Sequence, residues 1–454
     1  MGKLNIGESA FALHSKNVLI DKVLQEAWIV IEKGKIVECF ETAPSGFPIH
    51  SFGNKVIMPG LIDSHVHINE PGRTEWEGFD TATKAAAAGG ITTLVDMPLN
   101  SSPVTTTVEA FKAKLEAAQG QIHVNCGFYG GIVPGNTEHL APLIEAGVLG
   151  IKAFLSHSGI DEFPNVTEDD LRQGMPIIAN YGVPLLVHSE LVADHPEINA
   201  PASAAHSHAA WLLSRPKAWE NNAVDLMIGL CREYQCKTHI VHLSSAEAIP
   251  NLEKAVADGL PLTIETCPHY LVFAAEDIEN GKTLFKCAPP IRERENNLQL
   301  WEGLRTGLIS MVVTDHSPAT PELKSIDEGK FSEAWGGIAS LQFSLAATWT
   351  KAAQLGFDIP EVAAWMSENV AKFLGLENQK GKIETGYDAD LIVWDPEGTC
   401  PSAHSDIKHK HPVSPYADVA LKGEVIQTYL AGKIVYDRGN FTNLGLGNIL
   451  LNNN

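Results

Sequence analysis

Eight short β-rich runs, each followed by a stretch of helical character, limit what this chain can fold into more than any other feature. They lie at 61–65, 92–97, 123–128, 151–155, 184–188, 238–242, 262–266 and 310–314. Most are continuous Val, Ile and Leu runs without alternation, as expected of strands covered on both faces. Residues 107–118 show the helical pattern between them. Val108, Phe111 and Leu115 share one face, and Gly120 follows as a stop signal. Eight β–α units in series predict an α/β fold with a closed, TIM-like (β/α)8 barrel rather than an open sheet. The barrel is expected to span 59–380.

The flanks read differently. Trp28-Ile29-Val30-Ile31 and Ile36-Val37, split by Glu32-Lys33-Gly34-Lys35, predict a hairpin with Gly34 in the turn. The tail carries further β-rich runs at 389–394, 428–430 and 434–436. Residues 1–58 and 381–454 are therefore expected to build one small β-sandwich domain from both chain ends. Residues 450–454 read as a frayed terminus.

Composition narrows the function. The chain is 44% hydrophobic and globular, and its net charge of -22 argues against nucleic acid or an anionic membrane as partner. No stretch is long and apolar enough to span a bilayer. Residues 1–20 lack a basic segment leading into an apolar run with a cleavage site. The seven cysteines include no Cys-x-x-Cys pair. Together these features predict a cytoplasmic, reducing compartment.

In such a barrel the chemistry gathers where the strands end. His65 and His67 end the first run and, two residues apart, face the same way. They are either a metal-binding pair or an ordinary hydrogen-bonded pair. His188 closes the fifth run, His242 the sixth and Asp315 the eighth. Lys152 lies inside the apolar fourth run, where burial favours its neutral amine. Such an amine can add carbon dioxide to form a carbamate able to bridge two metal ions. The carbamate, Asp315 and a shared hydroxide would nearly neutralise two divalent ions. The alternative for Lys152 is a packed stem with its amine on a carboxylate.

The set His65-x-His67, Lys152, His188, His242 and Asp315 resembles the amidohydrolase superfamily, in its cyclic-amidase branch of dihydroorotases, hydantoinases and allantoinases. Asn69 stands where dihydroorotases usually carry arginine, and Ala319 where they place a histidine. Leu155-Ser156-His157-Ser158 lacks the tyrosine usual in hydantoinases. By contrast the string from Asn69 to Phe79, Asp96-Met97-Pro98-Leu99-Asn100-Ser101 and Thr314-Asp315-His316-Ser317-Pro318 resemble the allantoinases.

That resemblance implies hydrolysis of the cyclic amide of allantoin to allantoate, within purine degradation. It implies N6-carboxylysine at Lys152 and two divalent ions, zinc first with cobalt, manganese or iron as alternatives. One ion would sit on His65, His67 and Asp315, the other on His188 and His242. Asp315 would be the general base. Substrate contacts would come from Asn69, Asn100, Ala288, Ser317, Gly336 and Gly337. His157 would either stand in for the missing tyrosine or face solvent, and His269 would support the site from behind. His404, His409 and His411 read as a surface loop. The partner expected is small-molecule allantoin, bound by a homo-oligomer, dimer or tetramer. The rival readings are a hydantoinase-like or dihydroorotase-like cyclic amidase, and a non-catalytic scaffold on the same fold.

Overall fold

The computed structural model describes residues 10–192 and 202–452. Asn453 and Asn454 lie outside them. All eight expected barrel strands are present, at Leu61–Val66, Ile91–Asp96, Asn125–Phe128, Ile151–Phe154, Leu185–His188, Thr238–Ile240, Leu262–Thr266 and Met311–Val312. The first three pair in parallel in one sheet. The last five pair in parallel, in chain order, in another. Gly130–Gly131, one residue beyond the third strand, pairs with Ile151 and Lys152. The third run is thus one strand broken at Tyr129, each half serving a different neighbour. On the other side a parallel bridge joins Val66 to His316. Strands such as Leu185–His188 are buried at every position, so the absence of alternation reflects cover on both faces.

Four runs end earlier than the sequence suggests, two of them by one residue and two by two. Thr238–Ile240 stops two residues before His242, and Met311–Val312 stops three before Asp315. His242 and Asp315 both take left-handed backbone, with φ of 40° and 46°. An L-residue in that conformation cannot continue a strand.

The chain ends meet in one nine-stranded sheet. The strand Val56–Pro59 pairs in parallel with Phe11–Ile20 and antiparallel with Leu391–Thr399, so it joins the N-terminal strands to the C-terminal ones. The expected hairpin is Val23–Glu32 against Lys35–Phe40. Its turn residues Lys33 and Gly34 have φ of 52° and 79°, a primed turn that suits the right-handed strand twist. Leu13, Ile29, Ile57, Leu391 and Val393 fill the inner face of this sheet. A second, larger core packs the helices against the parallel strands. Among the described residues no helix is long and apolar enough to cross a membrane.

The helix Val108–Ala118 is capped by the Thr107 side chain, which accepts from the Ala110 N–H. Its buried face also contains Lys114, beside Phe111 and a half-buried Leu115 that packs on the core. The Lys114 amine lies 2.5 Å from the Asp96 carboxylate and 3.0 Å from the Met97 carbonyl. A pattern read from apolar residues alone misses a lysine neutralised by a buried partner. The frayed terminus is also corrected. Leu450 donates to the Cys126 carbonyl (2.8 Å) and Asn452 to the Gly147 carbonyl (2.9 Å), which ties this polar stretch to the third strand and the loop before the fourth.

Candidate active site

His65 and His67 converge on one carboxylate oxygen: their Nε2 atoms lie 3.2 and 3.3 Å from Asp315 Oδ1. His188 Nδ1 lies 3.0 Å from His242 Nε2, two ring nitrogens facing each other. Donor atoms of His65, His242 and Asp315 all fall within 4.8 Å of one another, close enough to share one divalent ion. Lys152 is fully buried, and its amine has no hydrogen-bond partner among the described residues. Its Nζ sits 5.0 Å from the centroid of the Phe154 ring, which in turn stacks on His188.

The charge states suit metal binding. Burial holds His65, His188 and His242 below the usual imidazole range, so each offers a lone pair. Burial opposes ionisation of Asp315, but the neighbouring His65, His67 and His242 outweigh it and hold the carboxyl below its usual range. Burial lowers the Lys152 amine to about 8, against the pull of Asp315 and Glu265. An orphaned, readily neutralised amine beside an imidazole and carboxylate cluster fits a carbamate-bridged metal site.

Three carboxylates that the sequence reading missed hold this cluster in shape. Glu265 bonds His65 Nδ1 at 2.5 Å and His239 Nε2 at 2.8 Å, which leaves His65 Nε2 free to act as a ligand. Burial works against its charge, yet the two histidines bring it down to about 2. Glu190 bonds His188 Nε2 at 2.8 Å and pairs with Arg215. Asp63 accepts from the backbone N–H of His65 and of Thr314, clamping the first strand to the segment that carries Asp315. Burial raises its carboxyl to about 7. Glu190 follows His188 by two residues, the one local hint available. Glu265 and Asp63 look like any polar residue in a strand.

The cluster opens into a cavity of about 270 Å³. Asn100, Ala288, Ser317 and Gly336 line it, as do His157, Arg215, Trp211 and Lys286. Asn69 and Gly337 do not line it. The Asn69 amide is turned to the Pro318 carbonyl at 3.3 Å. Gly337 instead backs Ser317: a Cβ there would meet the Ser317 carbonyl oxygen at 2.4 Å. Asn69 and Asn100, like His242 and Asp315, have positive φ, so four candidate residues sit on strained backbone.

A family model described as the amidohydrolase family matches residues 56–435. The chain belongs to the amidohydrolase family. It is 43% identical to a protein of Saccharomyces cerevisiae named allantoinase, over 94% of this chain and 96% of that one. It is 44% identical to an allantoinase of Streptomyces avermitilis, over 95% and 96% of the two chains. Among solved structures, an L-hydantoinase (dihydropyrimidinase) from Arthrobacter aurescens superimposes with a TM-score of 0.90 at 29% identity, covering 97% of this chain and all of that one. In fold this amidohydrolase is thus a TIM-barrel with an added β-sandwich.

The remaining histidines divide. His157 is exposed but lines the cavity mouth, 3.3 Å from Asp161. His269 is buried near Asp315, and its ring nitrogens have no hydrogen-bond partner among the described residues. His404 is exposed. His409 is not a surface residue. It is buried against the His316 ring at 5.6 Å, and Glu77 ties that ring to the backbone of Lys410. Sequence spacing shows that a loop is polar, but not which side chain the fold turns inward.

Proposed function

We propose that this amidohydrolase opens the hydantoin ring of allantoin to give allantoate. The observation that carries the reading is the buried cluster His65, His67, Lys152, His188, His242 and Asp315 in a chain this similar to allantoinases along almost its whole length. We read Lys152 as N6-carboxylysine, whose carbamate would help hold two divalent ions, zinc first. His65, His67 and Asp315 would hold one, and His188 and His242 the other. When bound, the ions lower the pKa of a shared water and polarise the scissile carbonyl. Asp315, held ionised by the histidines around it, accepts the proton as the water attacks and returns it to the departing ring nitrogen. Glu265 and Glu190 fix the rings of His65 and His188. Asn100, Ala288, Ser317 and Gly336 offer the backbone and amide groups that a ureide needs, with Gly337 setting the position of Ser317.

On the same reading, residues 59–380 form a closed (β/α)8 barrel, supported by the hydrogen bonds spanning both gaps between its sheets. Residues 1–58 and 381–454 form the smaller domain. The protein works as a cytoplasmic homo-oligomer, a dimer or tetramer, in purine degradation. Its seven cysteines are all free thiols, as a reducing compartment requires.

The test is metal analysis of purified protein beside an allantoin hydrolysis assay. Two ions per active chain and a Lys152 heavier by one carbon dioxide are expected. Metal-replete, fully active protein with unmodified Lys152 would refute the carbamate. Equal efficiency on allantoin and hydantoin would favour a hydantoinase-like amidase, the reading that the structural likeness to the Arthrobacter aurescens protein supports.

A further inference from the structure

The wall of the cavity is built around a second buried cation, Lys286. Its amine lies 2.5 Å from the Ala334 carbonyl and 4.3 Å from the centroid of the Trp211 ring. These contacts use part of its capacity, since an ammonium carries three protons. Its side chain makes no ion pair with a carboxylate among the described residues, Glu333 of the same lining being paired with Lys330. A buried ammonium without a counter-charge is costly. It is best satisfied by an oxygen acceptor that enters the cavity with a ligand.

The surroundings hold this amine rigidly. Trp211 Nε1 donates to the Cys287 carbonyl at 3.1 Å. The backbone carbonyl of Lys286 accepts from Gly337 N–H at 2.9 Å and from the Lys324 amine at 3.2 Å. Lys324 also donates to the carbonyls of Trp335 (2.9 Å) and Gly337 (2.7 Å). It thereby staples residue 286 to the loop bearing Gly336. Arg215 stands over the same Trp211 ring at 4.9 Å but is already committed to Glu190. Burial, with Arg215 nearby, lowers the Lys286 amine to about 8, as expected of a cation waiting for an acceptor.

We propose that Lys286 is a specificity-determining residue whose amine donates to the carbonyl oxygen of the substrate's exocyclic ureido arm. This rests on the allantoin reading above. On that reading the carbonyl that reacts lies beside Asp315 and the ion that His188 and His242 would hold. The arm leaves the adjacent ring carbon, so it is the part of the ligand free to reach a wall away from that cluster. Hydantoin has the same ring without the arm and should not engage Lys286.

The experiment uses metal-loaded full-length protein. It measures steady-state kinetics on allantoin and the inhibition constant of hydantoin as a competitor, for the wild type and Lys286→Met. Methionine keeps the stem volume and removes the donors. The efficiency on allantoin should fall by about tenfold to a hundredfold, mainly through KM. The hydantoin constant should change less than about twofold, and metal content should stay level. An unchanged KM for allantoin would overturn the proposal. A parallel loss for both ligands would also overturn it and assign Lys286 to the ring. Should Lys286→Met fail to fold, Lys286→Arg decides: KM for allantoin should rise while the hydantoin constant holds. A wild-type protein inert toward allantoin would instead sink the functional reading, before any variant is made.

Discussion

The floor of the cavity and its wall are both assembled from buried basic side chains, but different groups hold them in place. On the floor, His65 and His188 lean on the carboxylates Glu265 and Glu190. On the wall, Lys286 and Lys324 lean on backbone carbonyls, and His208, on the helix that carries Trp211, has no hydrogen-bond partner for either ring nitrogen among the described residues. A carboxylate fixes a tautomer and raises the basicity of the opposite nitrogen, as a ligand requires. A carbonyl fixes position without cancelling charge, as suits a donor kept for a substrate. Damage to the floor should therefore appear in metal content and kcat, and damage to the wall in KM and in stability at low pH.

The strongest break is expected on the floor. Asp315→Asn keeps the shape of the side chain but cannot accept the proton, and kcat should fall by about a thousandfold with the fold retained. Near-normal turnover would move the base elsewhere. Next comes Glu265→Gln, which keeps the size but loses the charge that orients His65 and His239. Metal affinity should weaken by roughly tenfold to a hundredfold, read by competition with a chelator. Unchanged affinity would mean that the strand alone aims His65.

Lys324→Met tests the wall. It takes a donor from the carbonyls of Lys286, Trp335 and Gly337, the first of which keeps the Gly337 N–H, so KM should rise by about tenfold while metal content and kcat stay close to wild type. A fall in kcat with an unchanged KM would dissolve the distinction between floor and wall.

The smallest effect concerns pH. Burial lowers folded His208 from 6.5 to about 4. Between those values the unfolded chain binds a proton that the folded chain excludes, so stability is complete above pH 6.5 and is lost as pH falls toward 4. Over that window Tm should fall by about 1–2 °C per pH unit more in the wild type than in His208→Leu. Parallel curves would show that His208 is protonated in the fold.

The sequence by itself determined the eight strands, the two-ended β sheet and the six residues of the floor. Strands buried on both faces leave continuous apolar runs, and a polar residue placed where such a run ends has few roles open to it. It could not show Glu265, because a carboxylate that orients a histidine from another strand leaves no mark of its own in the chain, nor Asp63, whose partners are backbone N–H groups, and for Glu190 it held only the spacing from His188. Nor could it show that the strands stop short of His242 and Asp315, since a positive φ at a non-glycine residue is imposed by the surroundings. Asn69, standing where an arginine is usual in dihydroorotases, offers no charge to a substrate, and the sequence names no other cation for the cavity wall. The tertiary structure brought Arg215 and Lys286 into its lining from far along the chain. Their burial, and the ring and carbonyls that hold Lys286, come from contacts between segments that adjoin only in the fold, and such contacts have no period or spacing to be read.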